Sequence, residues 1–527
     1  MKRLTKFLSF PLVFVLTSCG FYSRSKDYLT GKTVEGNPIK YSFKLADRDK
    51  VIECLDKTLQ LAEAASDFKA FEASYNKMND YYRQVADARD AEELKYYMYG
   101  KEENQTLSLE LFELLTLISN KANKIHYAVF KNDFKSSFYG NMTDEEIIEE
   151  IGPEYTDEYY TKNNELKALK ADYNNLDPKK DSYNTDVANI YIDFVNTANE
   201  LAISAGYDNF LDYSYENYYV RPYTYEFTDS FFEYTKKYAL PYFVKAYSAL
   251  EEQIASLSND DLNAVRRFVL KNGFTTNFSL IEDYKDYFGG EFKTIFDDLW
   301  YDSRNYYISY EKEATTTAFT SLRNDEPYVF FGNRFEASTI VHEFGHYYDY
   351  SINGDTNSCY DLAETQSQGN EQLFIYYLKE ANKFNPEAID VIIGNQSLDM
   401  VSSVLVASMV NELEKKVYLD EDLTLEDITK YEAEVKADLP MDDYFDFATY
   451  WRAVTIDSPC YYFSYAASAV GALEIGAYAK NDLRGAIDKY NKLINYDDKN
   501  ENDYLEIYKE AGLSSPFEEV TFKTIFK

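Results

Sequence analysis

The ten residues from Val341 to Tyr350 read V-H-E-F-G-H-Y-Y-D-Y and hold two of the three histidines in the chain. His342, Glu343 and His346 form an H-E-x-x-H pattern. Positions i and i+4 of a helix share a face, so both imidazoles can point at one metal ion. Glu343, next to the first imidazole, can reach a water on that ion. A helix must therefore form here, with one face turned to a space that holds a cation. A second element must deliver the remaining ligands to it. In a chain so poor in histidine the spacing points to a zinc peptidase rather than to a solvated surface helix.

A catalytic zinc takes three protein ligands and a water. The third histidine, His126, lies far upstream in a helical context and reads as a packing or surface residue. A carboxylate is therefore expected, and Glu364 is the candidate, 18 residues after His346 in the segment D-L-A-E-T-Q-S-Q-G-N-E from Asp361 to Glu371. That interval lets the first helix end near Asn353-Gly354, turn, and present a second helix to the metal. Asp361 and Asp349 are candidates to orient a ligand histidine through its other ring nitrogen. Each can equally be a solvated or capping carboxylate.

Elsewhere the patterns are helical. Asp47 to Met78 carries a stripe at Val51, Leu55, Leu59 and Ala62; Thr143-Asp-Glu-Glu146 is a capping box, and Gly152-Pro153 a stop. Asp181–Ala205, Thr228–Leu257, Leu398–Leu419, Leu425–Leu439, Tyr461–Lys480 and Asp482–Ile494 continue the theme. With only 19 Gly and 11 Pro in 527 residues, long helices and few tight turns are expected. Thr315 to Phe331 differs. It is rich in β-branched and aromatic residues and broken at Asn324-Asp325-Glu326-Pro327, which predicts two short strands joined by a turn. An extended peptide could pair with the edge of such a strand.

The formal charge of −37 disfavours nucleic acid and anionic headgroups as partners. Lys2, Arg3 and Lys6 precede a short apolar run, Phe7 to Leu16, which reads as a signal peptide and is too short to anchor in a bilayer. The run ends in Leu16-Thr17-Ser18-Cys19-Gly20, similar to a bacterial lipobox. Cleavage there would leave Cys19 as an acylated N-terminus, tethering the protein to the outer leaflet of a bacterial membrane. Three cysteines then remain, Cys54, Cys359 and Cys460, which is no disulfide framework; Cys359 and Cys460 could pair or stay as free thiols. The expected organisation is a signal peptide (1–18), a tether (19–45), an N-terminal helical region (46–310) and a catalytic region (311–527), the last two forming one continuous body.

H-E-F-G-H followed by D-L-A-E-T-Q-S-Q resembles the thimet oligopeptidase and oligoendopeptidase F group of zinc metallopeptidases. Asp361, Glu364, Ser367 and Gln368 match one form of the group's downstream segment; Ala363, Glu364, Ser367, Asn370 and Glu371 match another. Pro327-Tyr328 and Asn333 also resemble the stretch before the metal helix. The resemblance implies one Zn²⁺ per chain on His342, His346 and Glu364, with Glu343 as general base. Pro459-Cys-Tyr-Tyr-Phe-Ser-Tyr465-Ala466 resembles the group's tyrosine segment, whose hydroxyls bind the oxyanion; Tyr465 is the first match and Tyr461 the second. A histidine usually precedes that segment, and here Thr455 stands roughly in its place. The implied fold is mostly α, a helical two-lobed body around a deep substrate channel, with a small β-hairpin or sheet beside the zinc helix. The implied substrates are short peptides. The competing reading is a peptide-binding lipoprotein of weak or no activity.

Overall fold

The helix ends follow from local chemistry. In the computed structural model, which describes residues 46–269, 274–301, 305–309, 318–323, 326–332, 336–354, 359–496 and 504–527, Asp47 caps a helix over Arg48–Ala64 by accepting from the Lys50 amide. The stripe expected to run unbroken from Asp47 to Met78 is interrupted. Ala65 turns left-handed (φ 44°), and Asp67 caps a second helix, Phe68–Tyr99, through the Ala70 amide. A carboxylate placed to cap ends a helical run as effectively as a glycine, which apolar periodicity alone does not reveal. The Thr143 capping box forms on Asp144–Ile151, and Gly152 stops that helix at φ 68°. The long helix expected over 228–257 is three pieces: Phe227–Tyr234, a π-turn at Thr235–Ala239, and Leu240–Ser256. Pro241 has no amide hydrogen to donate, and the wider turn before it absorbs the gap.

Packing divides the chain early. Val51, Leu55, Phe71, Met78, Leu111 and Ile118 belong to one core, built from the helices before residue 152. His126 is a packing residue within this N-terminal body, placed between the Tyr75 hydroxyl (3.0 Å from Nε2) and the Tyr139 hydroxyl (2.8 Å from Nδ1). From Tyr159 to Phe526 a second, continuous core takes in helices on both sides of residue 310. Packing is continuous across residue 310, where Phe292 and Phe296 lie directly against Phe344 of the motif helix. The signal, the tether and Cys19 lie outside the described residues.

Among the described residues three strands, β1 (Tyr306–Ile308), β2 (Ala318–Arg323) and β3 (Glu326–Phe331), stand beside the motif helix in the order β1-β3-β2. Strand β1 is parallel to β3, and β2 is antiparallel to β3 with Thr320 opposite Val329. The expected hairpin is thus present but joined by a third, parallel strand. Its connection is shorter than expected, since Glu326 and Pro327 already pair with Arg323 and Leu322. Asn324, Asp325 and Asn333 lie outside the described residues. Alternation sorts the side chains. Phe319, Tyr328 and Phe330 pack on Leu94 and Met98 of the N-terminal body, whereas Ala318, Val329 and Phe331 join the main core. Thr320, two residues on from Ala318, therefore faces the motif helix.

The motif helix, Ala337–Asn353, crosses the helix Tyr360–Glu380 at Gly345. A Cβ at Gly345 would lie 2.7 Å from Ser367 Cα, so only glycine permits this crossing. Tyr360–Glu380 is itself enclosed, buried at all but one position from Asp361 to Ile375, and the helices Pro386–Tyr418, Phe463–Ala479 and Leu483–Ile494 complete the packing around it. Cys54, Cys359 and Cys460 are all buried free thiols, which excludes the Cys359–Cys460 bridge.

Candidate active site

The i, i+4 spacing sets the His342 and His346 rings 5.1 Å apart, centroid to centroid, at 80°. Glu364 approaches from the crossing helix. Its Oε2 is 3.9 Å from His342 Nε2 and 4.0 Å from His346 Nε2, and the three ligand atoms lie within 4.8 Å of one another. A tetrahedral zinc with bonds near 2.0–2.1 Å separates its donors by roughly 3.3 Å, so these residues fit such an ion once the two Glu364–histidine separations close by about half an ångström and the widest separation by up to about 1.5 Å. The predicted ligand set is therefore brought together by two helices that the Gly345 crossing holds close.

The Nδ1 atom of His342 lies 2.7 Å from Glu371 Oε1, and Gln396 Nε2 donates to Glu371 Oε2 at 2.8 Å. A carboxylate only accepts, so Nδ1 carries the hydrogen and Nε2 keeps its lone pair for the ion. Without a metal, burial works against charge on His342, but Glu371, Glu343 and Glu364 outweigh it and raise its pKa to about 9, so an ion binding at Nε2 must displace a proton from it. The same negative field favours a divalent cation. Burial, with His342 beside it, holds His346 well below its ordinary pKa, in the neutral form that ligates.

Glu343 is buried and faces strand β2. Thr320 Oγ1 lies 2.8 Å from Glu343 Oε2 and 2.9 Å from the Glu343 carbonyl oxygen, so the hydroxyl can donate to either. Glu343 Oε1 has no hydrogen-bond partner among the described residues. Burial raises the Glu343 pKa to about 7, against the lowering effects of His342 and Thr320. One oxygen is thus fixed and the other is open, on a carboxylate whose proton affinity suits general base work near neutrality.

Two predicted orienting carboxylates act elsewhere. Asp361 accepts from the Tyr223 hydroxyl and lies 3.6 Å from Arg221 Nε, in full burial. Asp349 accepts from Asn353 Nδ2 (2.8 Å) and Gln366 Nε2 (2.9 Å), tying the two crossing helices to each other. The carboxylate on His342 is Glu371 instead. Seven residues after Glu364, it returns to the same helical face two turns on, a spacing legible in the sequence once Glu364 is taken as ligand. Replacing Glu371 by Gln should lower zinc affinity by about 10–100-fold. Competition with a chromogenic chelator measures this, and an unchanged affinity would remove Glu371 from the metal site.

Of the two tyrosines, Tyr461 reaches the metal residues, with its hydroxyl 3.5 Å from Glu364 Oε1. Tyr465 is buried one helical turn on, its ring 5.1 Å from that of Tyr461. Their turn is held by distant residues that sequence reading missed. Arg221 Nη1 donates to Cys460 O (3.1 Å), and Arg221 Nη2 to Ser464 Oγ (2.8 Å) and more weakly to Tyr461 O (3.4 Å). Glu414 Oε1 accepts from the Cys460 amide at 2.7 Å, fixing Cys460 at a left-handed φ of 60°. Thr455, the residue roughly at the expected histidine position, is fully buried, and its hydroxyl donates to Trp451 O at 3.0 Å.

The chain superposes on a Bacillus anthracis (strain Ames) protein assigned as an oligoendopeptidase F, with a TM-score of 0.65 and 16% identity over 92% of this chain and 96% of that one. PZ peptidase A, solved with an inhibitor, gives a TM-score of 0.68 at 15% identity over 92% and 97% of the two chains. The oligoendopeptidase-F of Enterococcus faecium gives 0.52 at 15% identity over 90% and 95%. The fold is thus that of helical peptidases. More particularly, it is the fold of oligoendopeptidase F, carried over nearly the whole chain. No protein-family profile matches the chain, and no curated protein matches it in sequence.

Proposed function

We propose that this protein is a zinc-dependent endopeptidase that cleaves short peptides at the outer cell surface. The observation that carries the reading is the placement of Glu343. Its carboxylate follows His342 on the motif helix and interacts electrostatically with His342 and Glu364, and its Oε1 is unpartnered among the described residues. His342, His346 and Glu364 converge as possible metal donors, on a fold shared with oligoendopeptidases. Zinc held there would supply Lewis acidity, lowering the pKa of a water towards neutrality.

The chain's own residues do the rest. Glu343 Oε1 takes a proton from the attacking water and passes it to the leaving amine, while Thr320 keeps Oε2 in place. The Tyr461 and Tyr465 hydroxyls are the candidate donors to the developing oxyanion. Strand β2 lies against the motif helix, and an extended substrate can add to its outer edge, which no described strand pairs with; this would align the scissile bond with Glu343.

The test is zinc content together with cleavage of a mixed library of short quenched peptides, before and after chelation. Cleavage that disappears with the chelator and returns with zinc supports the reading. Zinc without any cleavage favours the second reading, a peptide-binding protein of weak activity, which the engaged Thr455 hydroxyl supports. A protein that takes up no zinc sinks both.

Export and anchoring rest on Lys2, Arg3, Lys6, the apolar run that follows and Cys19. Expressed in a bacterium that lipidates its exported proteins, the wild type is expected in the membrane fraction. Cys19→Ser is expected to leave it, and a wild type that stays soluble would refute the anchor.

A further inference from the structure

We propose that Gln368 is a substrate-binding residue that holds a main-chain amide of the bound peptide beside the metal. This rests on the peptidase reading above. Tyr360–Glu380 is an enclosed helix, and its buried polar side chains have partners. Asp361 has Tyr223 and Arg221. Thr365 Oγ1 donates to Asp361 O and Gln366 Nε2 to Leu493 O. Asn370 donates to Val341 O and accepts from Tyr284, and Gln372 Nε2 donates to Met400 Sδ. Glu371 is held between His342 and Gln396. Gln368 differs from them: it is 3% exposed, its Oε1 is buried without a partner as that of Gln366 is, and, unlike Gln366, its side chain makes no hydrogen bond at all among the described residues.

A buried amide left unmatched costs about 1–3 kcal/mol, and an apolar side chain of the same length would pack there without that cost. Its position on the helix suggests what the amide is kept for. Gln368 is four residues after Glu364 and three before Glu371, so it shares the face that carries the metal ligand and the residue behind His342. Four residues advance a helix by about 6 Å. An extended peptide advances about 3.3 Å per residue, so the peptide unit one or two residues from the scissile bond comes level with Gln368. A primary amide carries both a donor and an acceptor and can pair with the N–H and C=O of that unit. Such a contact reads the backbone and not the side chains, which suits an enzyme that accepts peptides of many sequences.

The experiment uses the zinc-loaded full chain carrying Glu343→Gln, so that peptide binds without being cut. Fluorescence anisotropy gives the Kd for labelled mixed-sequence nonapeptides with Gln368 intact and with Gln368→Met added. The melting temperature of Gln368→Met alone is measured in parallel. The expected result is a Kd raised about tenfold by Gln368→Met, with the melting temperature unchanged or higher, since the amide has no partner to lose in the free protein. A Kd within twofold of the parent overturns the proposal, as does a fall in melting temperature that accompanies the loss of binding, because Gln368 then serves the fold. If the Gln368-intact protein binds no peptide, the peptidase reading itself has failed and takes this proposal with it. If that protein binds and Gln368→Met binds equally well, only this proposal has failed.

Discussion

Glu343→Gln should leave zinc in place and lower peptide hydrolysis by about 10³-fold or more. The substitution keeps the volume of the side chain and removes only its capacity to take a proton. The three ligand atoms belong to His342, His346 and Glu364, so metal content should match the wild type. Thr320 can still donate to the amide oxygen in place of Oε2, so the fold around the helix is not disturbed. What disappears is the acceptor at Oε1, which lies buried and open. General base catalysis contributes about 10²–10⁴-fold, and here one carboxylate serves both the attacking water and the leaving amine. The measurement is kcat on a quenched peptide, with zinc quantified in the same sample. A variant that keeps its zinc and more than a tenth of the wild-type rate would show that Glu343 is not the base.

Arg221→Met should have the second-largest effect, and on two properties at once. The guanidinium is wholly enclosed, stacked over Tyr215 (4.2 Å to the ring centroid) and Tyr219 (4.7 Å). Removing it leaves Asp361 as an uncompensated buried carboxylate and takes away donors from the carbonyls of Cys460 and Tyr461. Breaking a buried pair from one side costs about 3–5 kcal/mol. Urea denaturation should show a loss of that size. Activity should also fall, through kcat more than KM, because the turn that positions Tyr461 and Tyr465 loses its clamp. The double variant Arg221→Met/Asp361→Asn separates the two effects. Removing the orphaned charge should restore much of the stability, whereas kcat should stay low because the turn carbonyls remain unpaired. Recovery of both together would mean that Arg221 acts only through stability.

The helices were largely legible because their causes are local. Thr143 with Glu146, Gly152 after Ile151, and Asp482 before Leu483 each act within one turn of the boundary they set. The same holds for the metal site as far as one helix reaches: the register of His342 and His346 is a property of four residues. Glu364 was legible through its motif, and Glu371 would have been through its spacing from Glu364. The break at Ala65 and the π-turn before Pro241 were missed because competing local signals lay inside an otherwise regular apolar pattern.

Other parts of the site depend on chain crossings. Thr320 meets Glu343 only because β2 pairs with β3 in one register and turns its even positions towards the motif helix. Asp361 lies three residues before Glu364, a candidate metal ligand, and yet is paired with Arg221, 140 positions away in sequence (361 − 221). Gln366 and Gln368 are two residues apart on one helix, and the side chain of one is tied to Asp349 while that of the other has no partner among the described residues. By itself the sequence determined which residues could ligate a metal, which carboxylate could act as base, and that helices would carry them. The tertiary structure alone decided which carboxylate orients His342, which hydroxyl holds Glu343 and which arginine sets the tyrosines. Helical periodicity acts over a few residues and is written in their order. A buried charge or hydrogen-bonding group must instead find its partner wherever packing brings one within about 3 Å.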